Sequence, residues 1–148
     1  MGQLKPGELA RGHTLLLDTV AFIYFLEHHP KHYQTARTLF SRIESGELSA
    51  VISTLVFAEL LVPAYRKKEM TRVASITGIL SNYPNLTICP VTTQISIKAA
   101  RLRADCNLRT PDAIHLATAL AHKADALVTN DRDFSKSTII EVLFFDAK

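Results

Sequence analysis

Glycine is scarce in this 148-residue chain, and none of it is arranged to cradle a phosphate. The five residues Gly2, Gly7, Gly12, Gly46 and Gly78 form neither a GxGxxG turn nor a P-loop, which disfavours a nucleotide-binding α/β protein. Cysteine is scarcer still. Cys89 and Cys106 make no CxxC or zinc-type spacing, so they imply neither a disulfide framework nor a structural zinc, only buried or half-buried thiols. Long apolar runs are also missing: VAFIYFL at 20–26 is the longest, far short of the roughly 20 residues that span a bilayer. The opening MGQLKPGELARGH is polar and carries no apolar core of the signal-peptide kind, so a cytoplasmic location with no membrane contact is expected. No repeat and no Pro-rich or Ser-rich tract interrupts the chain. With 47% hydrophobic and 21% charged residues, the composition describes one compact domain rather than a disordered segment. A short polar arm over residues 1–12 and a single domain over 13–148 are expected.

What is present reads as alternating strands and helices. HTLLLD (13–18) is a short apolar run of strand type, and TVAFIYFLEHHP reads as a helix ended by Pro30. HYQTARTLFSRIESG places Tyr33, Ala36, Leu39, Phe40 and Ile43 at helical spacing before Gly46. SAVIS (49–53) leads into TLVFAELLVPAYRKKE, a helix capped by Ser53 or Thr54 that Pro63 should kink or break. A helix near 71–80 precedes the strand LTICPV (86–91), and Thr92 or Thr93 caps the next helix. Thr110-Pro111-Asp112 has the form of a helix start, with Thr as cap, Pro in the first turn and an acid beside the helix dipole. DALVTND and STIIEVLFF supply the last two strands. The order implies a three-layer α/β/α fold around a mainly parallel sheet of about four to five strands.

Four acids stand out against this frame. In an open parallel sheet, sites form beyond the carboxyl ends of the strands, where Asp18 (ending LLLD) and Asp131 (after ALV) should both lie. Asp112 opens an otherwise apolar helix, and whether that helix begins at the same edge is left open. Glu59 is the only charged residue from Thr54 to Ala64, and a carboxylate in so apolar a setting needs a partner or a cation. Each has a bland explanation. Asp18 can cap a helix, Asp112 can complement a dipole, Asp131 and Asp133 can belong to a turn, and Glu59 can pair with Arg66.

Taken in order, LLLDTVAFIYFLE, ISTLVFAELLVPA, TPDAIHLATAL and ALVTNDRDF resemble the PIN-domain nucleases, most closely the VapC-type ribonuclease toxins of toxin–antitoxin pairs. The resemblance covers nearly the whole chain. It implies that Asp18, Glu59, Asp112 and Asp131 form a catalytic metal-binding cluster, with Asp18 and Asp112 as the firmest ligands and Thr129 and Asn130 lining the site. Asp131 is chosen over Asp133 because the family's last acid lies two residues after a small hydroxyl residue, here Thr129. One position departs from the pattern: Val20 stands where the family often carries Asn. The implied activity is a metal-dependent endoribonuclease leaving a 5′-phosphate and a 3′-hydroxyl, with an antitoxin protein and a second copy of the chain as partners.

Residue chemistry agrees independently. Hard oxygen ligands suit Mg²⁺ or Mn²⁺, which can activate water for attack on a phosphodiester without a nucleophilic side chain. Seventeen basic residues against fourteen acids leave a markedly basic surface if four acids gather in one site. Arg66, Lys67, Lys68 and Arg72 form one candidate RNA-contact patch, and Arg101, Arg103 and Arg109 another. HHPKH (28–32) reads as exposed helix-end histidines, and His115 as a packed or partly exposed helix residue. VAFIYFL has no polar face and could be covered either by its own core or by a second chain. A haloacid-dehalogenase-like phosphatase is disfavoured because its chemistry wants a second Asp at position 20. The remaining alternative is a PIN-like RNA-binding or protein-interaction module without nuclease activity.

Overall fold

The computed structural model describes residues 2–147; Met1 and Lys148, the outer ends of the expected arm and domain, lie outside the described residues. Its centre is a sheet of six strands: β1 (Gly2–Gln3), β2 (Thr14–Leu17), β3 (Ser49–Ser53), β4 (Leu86–Cys89), β5 (Ala126–Thr129) and β6 (Glu141–Phe144). They lie in the order β1-β6-β5-β2-β3-β4, and every neighbouring pair is parallel. The sheet therefore has one or two strands more than the four to five expected. The extra strand, β1, comes from the polar arm, where Gly2 and Gln3 align with Leu143 and Phe144 and Leu4 N–H donates to the Phe144 carbonyl at 2.7 Å. An exposed two-residue edge strand is held by backbone hydrogen bonds, so it leaves no apolar pattern to read.

A half-buried arginine ties the arm down. Arg42 Nη1 donates to the carbonyls of Pro6 (2.6 Å) and Leu9 (2.7 Å), and its Nε donates to Glu47 Oε2 at 2.6 Å. Hydrogen bonds from a charged donor are each worth about 1.5–3 kcal/mol. Arg42→Met is therefore expected to lower stability by about 2 kcal/mol and to speed amide exchange over residues 4–12, measured by urea denaturation and hydrogen exchange. Unchanged exchange in the arm would show that β1 pairing alone holds it.

Among the described residues, seven α-helices cover the sheet: α1 (Thr19–Leu26), α2 (Tyr33–Glu44), α3 (Leu55–Leu60), α4 (Val62–Arg66), α5 (Met70–Asn82), α6 (Thr93–Cys106) and α7 (Thr110–Ala121). Because strand side chains alternate faces, the apolar runs divide between two cores. Leu15, Leu17, Ala50, Ile52 and Val128 face the core built with α1, α2, α3 and α5. Leu16, Val51, Leu127, Val142 and Phe144 face the one built with α6 and α7. Burial on both faces explains why these strands read as continuous apolar runs. Pro63 breaks the expected single helix into α3 and α4, sitting in the first turn of α4, where its missing N–H costs nothing. Of the two candidate caps for α6, Thr92 is the one used; its hydroxyl accepts from Ile95 N–H at 3.2 Å. Among the described residues, no helix is long and apolar enough to cross a membrane.

The strand order decides where a site can form. From β2 the chain builds outward to β3 and β4, then returns to lay β5 on the other side of β2. The reversal point is the junction of β5, β2 and β3, and ligands in open α/β sheets bind beyond the carboxyl ends of strands at such a junction. It also settles the place of Asp112. A helix feeding a strand of a parallel sheet runs antiparallel to it, so α7, which leads into β5, begins at the edge where β2 and β5 end.

Candidate active site

Asp18 follows β2 directly and carries two roles. Its Oδ1 accepts from Thr19 N–H at 2.8 Å, capping α1, while Oδ2 accepts from Thr129 Oγ1 at 2.7 Å across the β2–β5 junction. Thr129 Oγ1 in turn accepts from Asp131 N–H at 3.0 Å, so one hydroxyl fixes the ends of two neighbouring strands relative to each other. Thr129 is fully buried beneath the acids rather than lining the site. Asp131 Oδ1 accepts from Asp133 N–H at 2.9 Å and caps the short 3₁₀ turn over residues 132–136.

Glu59 corrects the sequence reading. Ala58 and Glu59 form an exposed edge of α3, so this helix does have a solvated face, and the Glu59 carboxylate is one-third exposed at the rim of the cleft. Its partner is not Arg66. Oε1 accepts from Thr19 Oγ1 at 2.7 Å and lies 2.8 Å from His115 Nε2. Partial burial opposes ionisation, but the hydrogen bonds from His115 and Thr19 outweigh it and hold the carboxyl below its ordinary value.

Asp112 is only 5% exposed. The helix starts one residue earlier than the Thr110-Pro111 pattern suggests: Arg109 holds the cap position without a side-chain cap bond, and Thr110 is already helical. The freed guanidinium bridges two acids, with Nε 3.3 Å from Asp112 Oδ2 and Nη2 3.2 Å from Asp131 Oδ2. Burial pushes the Asp112 carboxyl above its ordinary value; Arg109 opposes the shift, and the charges of Asp131 and Asp18 add to it. An acid crowded in this way calls for more positive charge than one exposed arginine supplies.

His115 holds a place in the site that the sequence reading weighed and set aside. Expected as a packed or partly exposed helix residue, it is buried among the acids, 1% exposed and 3.5 Å from Asp18 Oδ1 as well as bonded to Glu59. Burial works against a charge on the ring, but the Glu59 hydrogen bond and the neighbouring carboxylates prevail and raise the imidazole above its ordinary value. The available signal was spacing: three residues beyond Asp112, it lies on the same helix face.

All four acids line one cleft of about 380 Å³, together with Arg109, Asn130, Val20 and Tyr24. Within it they fall into two groups, Asp18 with Glu59 and His115, and Asp112 with Asp131 and Asp133; in each group, ligand atoms lie within 4.8 Å of one another. Oxygen donors predominate, and Glu59 Oε2 and Asp112 Oδ1 accept no hydrogen bond among the described residues, so the donor set fits a hard divalent cation. Asn130 reaches the cleft but is tied behind it, donating to Tyr24 Oη and Asp146 Oδ2 at 2.9 Å each. Hydrogen bonds from Lys31 and Asn130 hold the Asp146 carboxyl down to about 2. The HHPKH stretch also departs from expectation: His32 is buried, with Nε2 3.0 Å from Asp146 Oδ1. Of the candidate RNA-contact residues, only Arg109 lines the cleft; Arg101 pairs with Asp105 on the exposed face of α6, and Arg66 and Lys67 lie exposed at the end of α4.

The family model for the PIN domain matches residues 15–139, a span that contains the four acids and their supporting strands. The chain belongs to the PIN domain family. No curated protein matches this PIN domain in sequence. Among solved structures it is similar to a toxin–antitoxin complex from Klebsiella pneumoniae (26% identity, 89% of this chain and 98% of that one, TM-score 0.68). DNA-bound VapBC from Salmonella typhimurium shares the fold at 23% identity, covering 90% and 99% of the two chains with a TM-score of 0.71. VapC20 of Mycobacterium tuberculosis, a Sarcin-Ricin loop cleaving toxin, does so at 17% identity, covering 87% and 98%, with a TM-score of 0.69.

Proposed function

We propose that this PIN domain is a metal-dependent endoribonuclease and the toxin of a toxin–antitoxin pair. The observation that carries the reading is the convergence of Asp18, Glu59, Asp112 and Asp131 on one cleft at the reversal point of the sheet, with Asp112 nearly buried. These four would hold Mg²⁺ or Mn²⁺, and a bound ion of that kind supplies an activated water and neutralises charge developing on a phosphodiester. The protein's own part is to hold the oxygens still. Thr129 and the Thr19 N–H fix Asp18, Thr19 and His115 fix Glu59, and the first turn of α7 fixes Asp112. The two hydroxyls that line the cleft are engaged elsewhere, Thr19 Oγ1 donating to Glu59 Oε1 and Tyr24 Oη accepting from Asn130, which agrees with attack by water rather than by a side chain.

RNA as substrate, a cytoplasmic location, an antitoxin partner and a homodimer belong to the same proposal. The toxin–antitoxin neighbour from Klebsiella pneumoniae supports the partner, and exposed Ile23, on a helix without a polar face, offers it an apolar contact. Arg109, together with Arg101, Arg66 and Lys67, would meet the RNA backbone. Arg109→Gln is expected to weaken RNA binding and to reduce the salt slope of that binding by about one. An unchanged slope in filter-binding titrations would leave Arg109 as a counter-ion for the acids only. The activity itself is tested by incubating the protein with a broad RNA panel in Mn²⁺, Mg²⁺ or EDTA. Cleavage in metal alone supports the reading; RNA that is bound and left intact favours the module without nuclease activity.

A further inference from the structure

His115 lies in the middle of α7 beneath the cleft, and its hydrogen bonding is one-sided. Nε2 faces only carboxylate oxygens, Glu59 Oε1 at 2.8 Å and Asp18 Oδ1 at 3.5 Å, neighbours that favour the form of the ring with a proton on this nitrogen. Nδ1 is buried with no partner among the described residues. An orphaned buried nitrogen costs free energy that an apolar side chain of the same size would avoid, so packing alone does not account for a histidine here. What the imidazole gains is Glu59. That side chain stands on a six-residue helix cut off by Pro63, at an exposed edge, where the backbone does little to fix its four-bond reach. Thr19 Oγ1 and His115 Nε2 converge on the same oxygen, Oε1, leaving Oε2 as the oxygen open to a cation.

Resting on the nuclease reading above, we infer that His115 is a positioning residue whose Nε2–H bond to Glu59 Oε1 holds Glu59 as a metal ligand on an otherwise weakly constrained helix. Groups that orient metal ligands typically change metal affinity by about 10–100-fold when removed. His115→Met, which keeps the volume and deletes the donor, is expected to weaken Mn²⁺ binding within that range, measured by calorimetry on the full chain. His115→Gln, whose amide nitrogen falls near the imidazole Nε2, should bind Mn²⁺ more tightly than the Met variant; a merely packing role would favour Met over Gln. In the wild-type protein in EDTA, a long-range ¹H–¹⁵N spectrum should show a proton on His115 Nε2. A proton on Nδ1 alone overturns the assignment, as does wild-type-like Mn²⁺ binding by the Met variant while the wild type both binds the ion and cuts RNA. Wild-type protein that neither binds Mn²⁺ nor cuts RNA sinks the nuclease reading itself, and this assignment with it.

Discussion

Asp112→Asn is expected to lower metal-dependent RNA cleavage by about a thousandfold or more, since the charge stabilisation at such a centre is worth several kcal/mol. The same change should not weaken the fold. Asp112 is buried beside Asp131 and Asp18, and its carboxyl lies above the ordinary value of 3.8. A raised carboxyl favours the folded state while protonated, and that advantage disappears as pH rises from the ordinary value through the folded one. At neutral pH without metal, the ionised acid is therefore a net cost that Asn removes. The variant's melting temperature in EDTA should equal or exceed the wild type's while its cleavage in Mn²⁺ is lost. Retained cleavage would remove Asp112 from the catalytic set. Unfolding in EDTA would show its role to be structural.

Phe40→Ala carries the largest expected stability loss, about 3–5 kcal/mol. Phe40 is 1% exposed and joins three rings: Phe25 at 4.5 Å and nearly parallel, Phe22 at 5.2 Å, and the edge of Tyr83 at 5.5 Å. Phe22 and Phe25 belong to α1, and the Tyr83 hydroxyl donates to the Phe40 carbonyl at 2.8 Å, so this ring locks α1 and the end of α5 to α2. Domains of this size have about 5–15 kcal/mol in total, so roughly a fifth or more of the stability should go, read from urea midpoints at unchanged m. The site would feel it as well, because α1 begins at Asp18 and Thr19. A loss under about 1 kcal/mol would mean that the cluster repacks around the gap.

The parts of the site legible in the sequence were those tied to local pattern. LLLD puts an acid at a strand end and ALVTND does the same, so those two share an edge of a parallel sheet; the acid behind Pro111 marks a helix start, and the strand order is what brings it to that edge. The parts that were not legible depend on contacts between distant positions or on backbone alone. β1 pairs through main-chain groups and shows no hydrophobic signal. His115 meets Glu59 across 56 positions, and nothing local to either announces the other. Glu59 looked buried because its neighbours are apolar, whereas the short helix α3 turns Ala58 and Glu59 outward. Arg109 read as a phosphate contact alone, whereas it also lies across Asp112 and Asp131 from the cap position of α7, a bridge that its local sequence does not announce.

The central claim is hydrolysis by metal-activated water at the four-acid cleft, and the ends left on cut RNA test it most directly. With Mn²⁺ or Mg²⁺ present, single-turnover cleavage should yield 5′-phosphate and 3′-hydroxyl ends, stop in EDTA and resume when the metal is restored. Cyclic 2′,3′-phosphate ends, or cleavage that persists in EDTA, would contradict it by showing attack from the RNA's own 2′-hydroxyl.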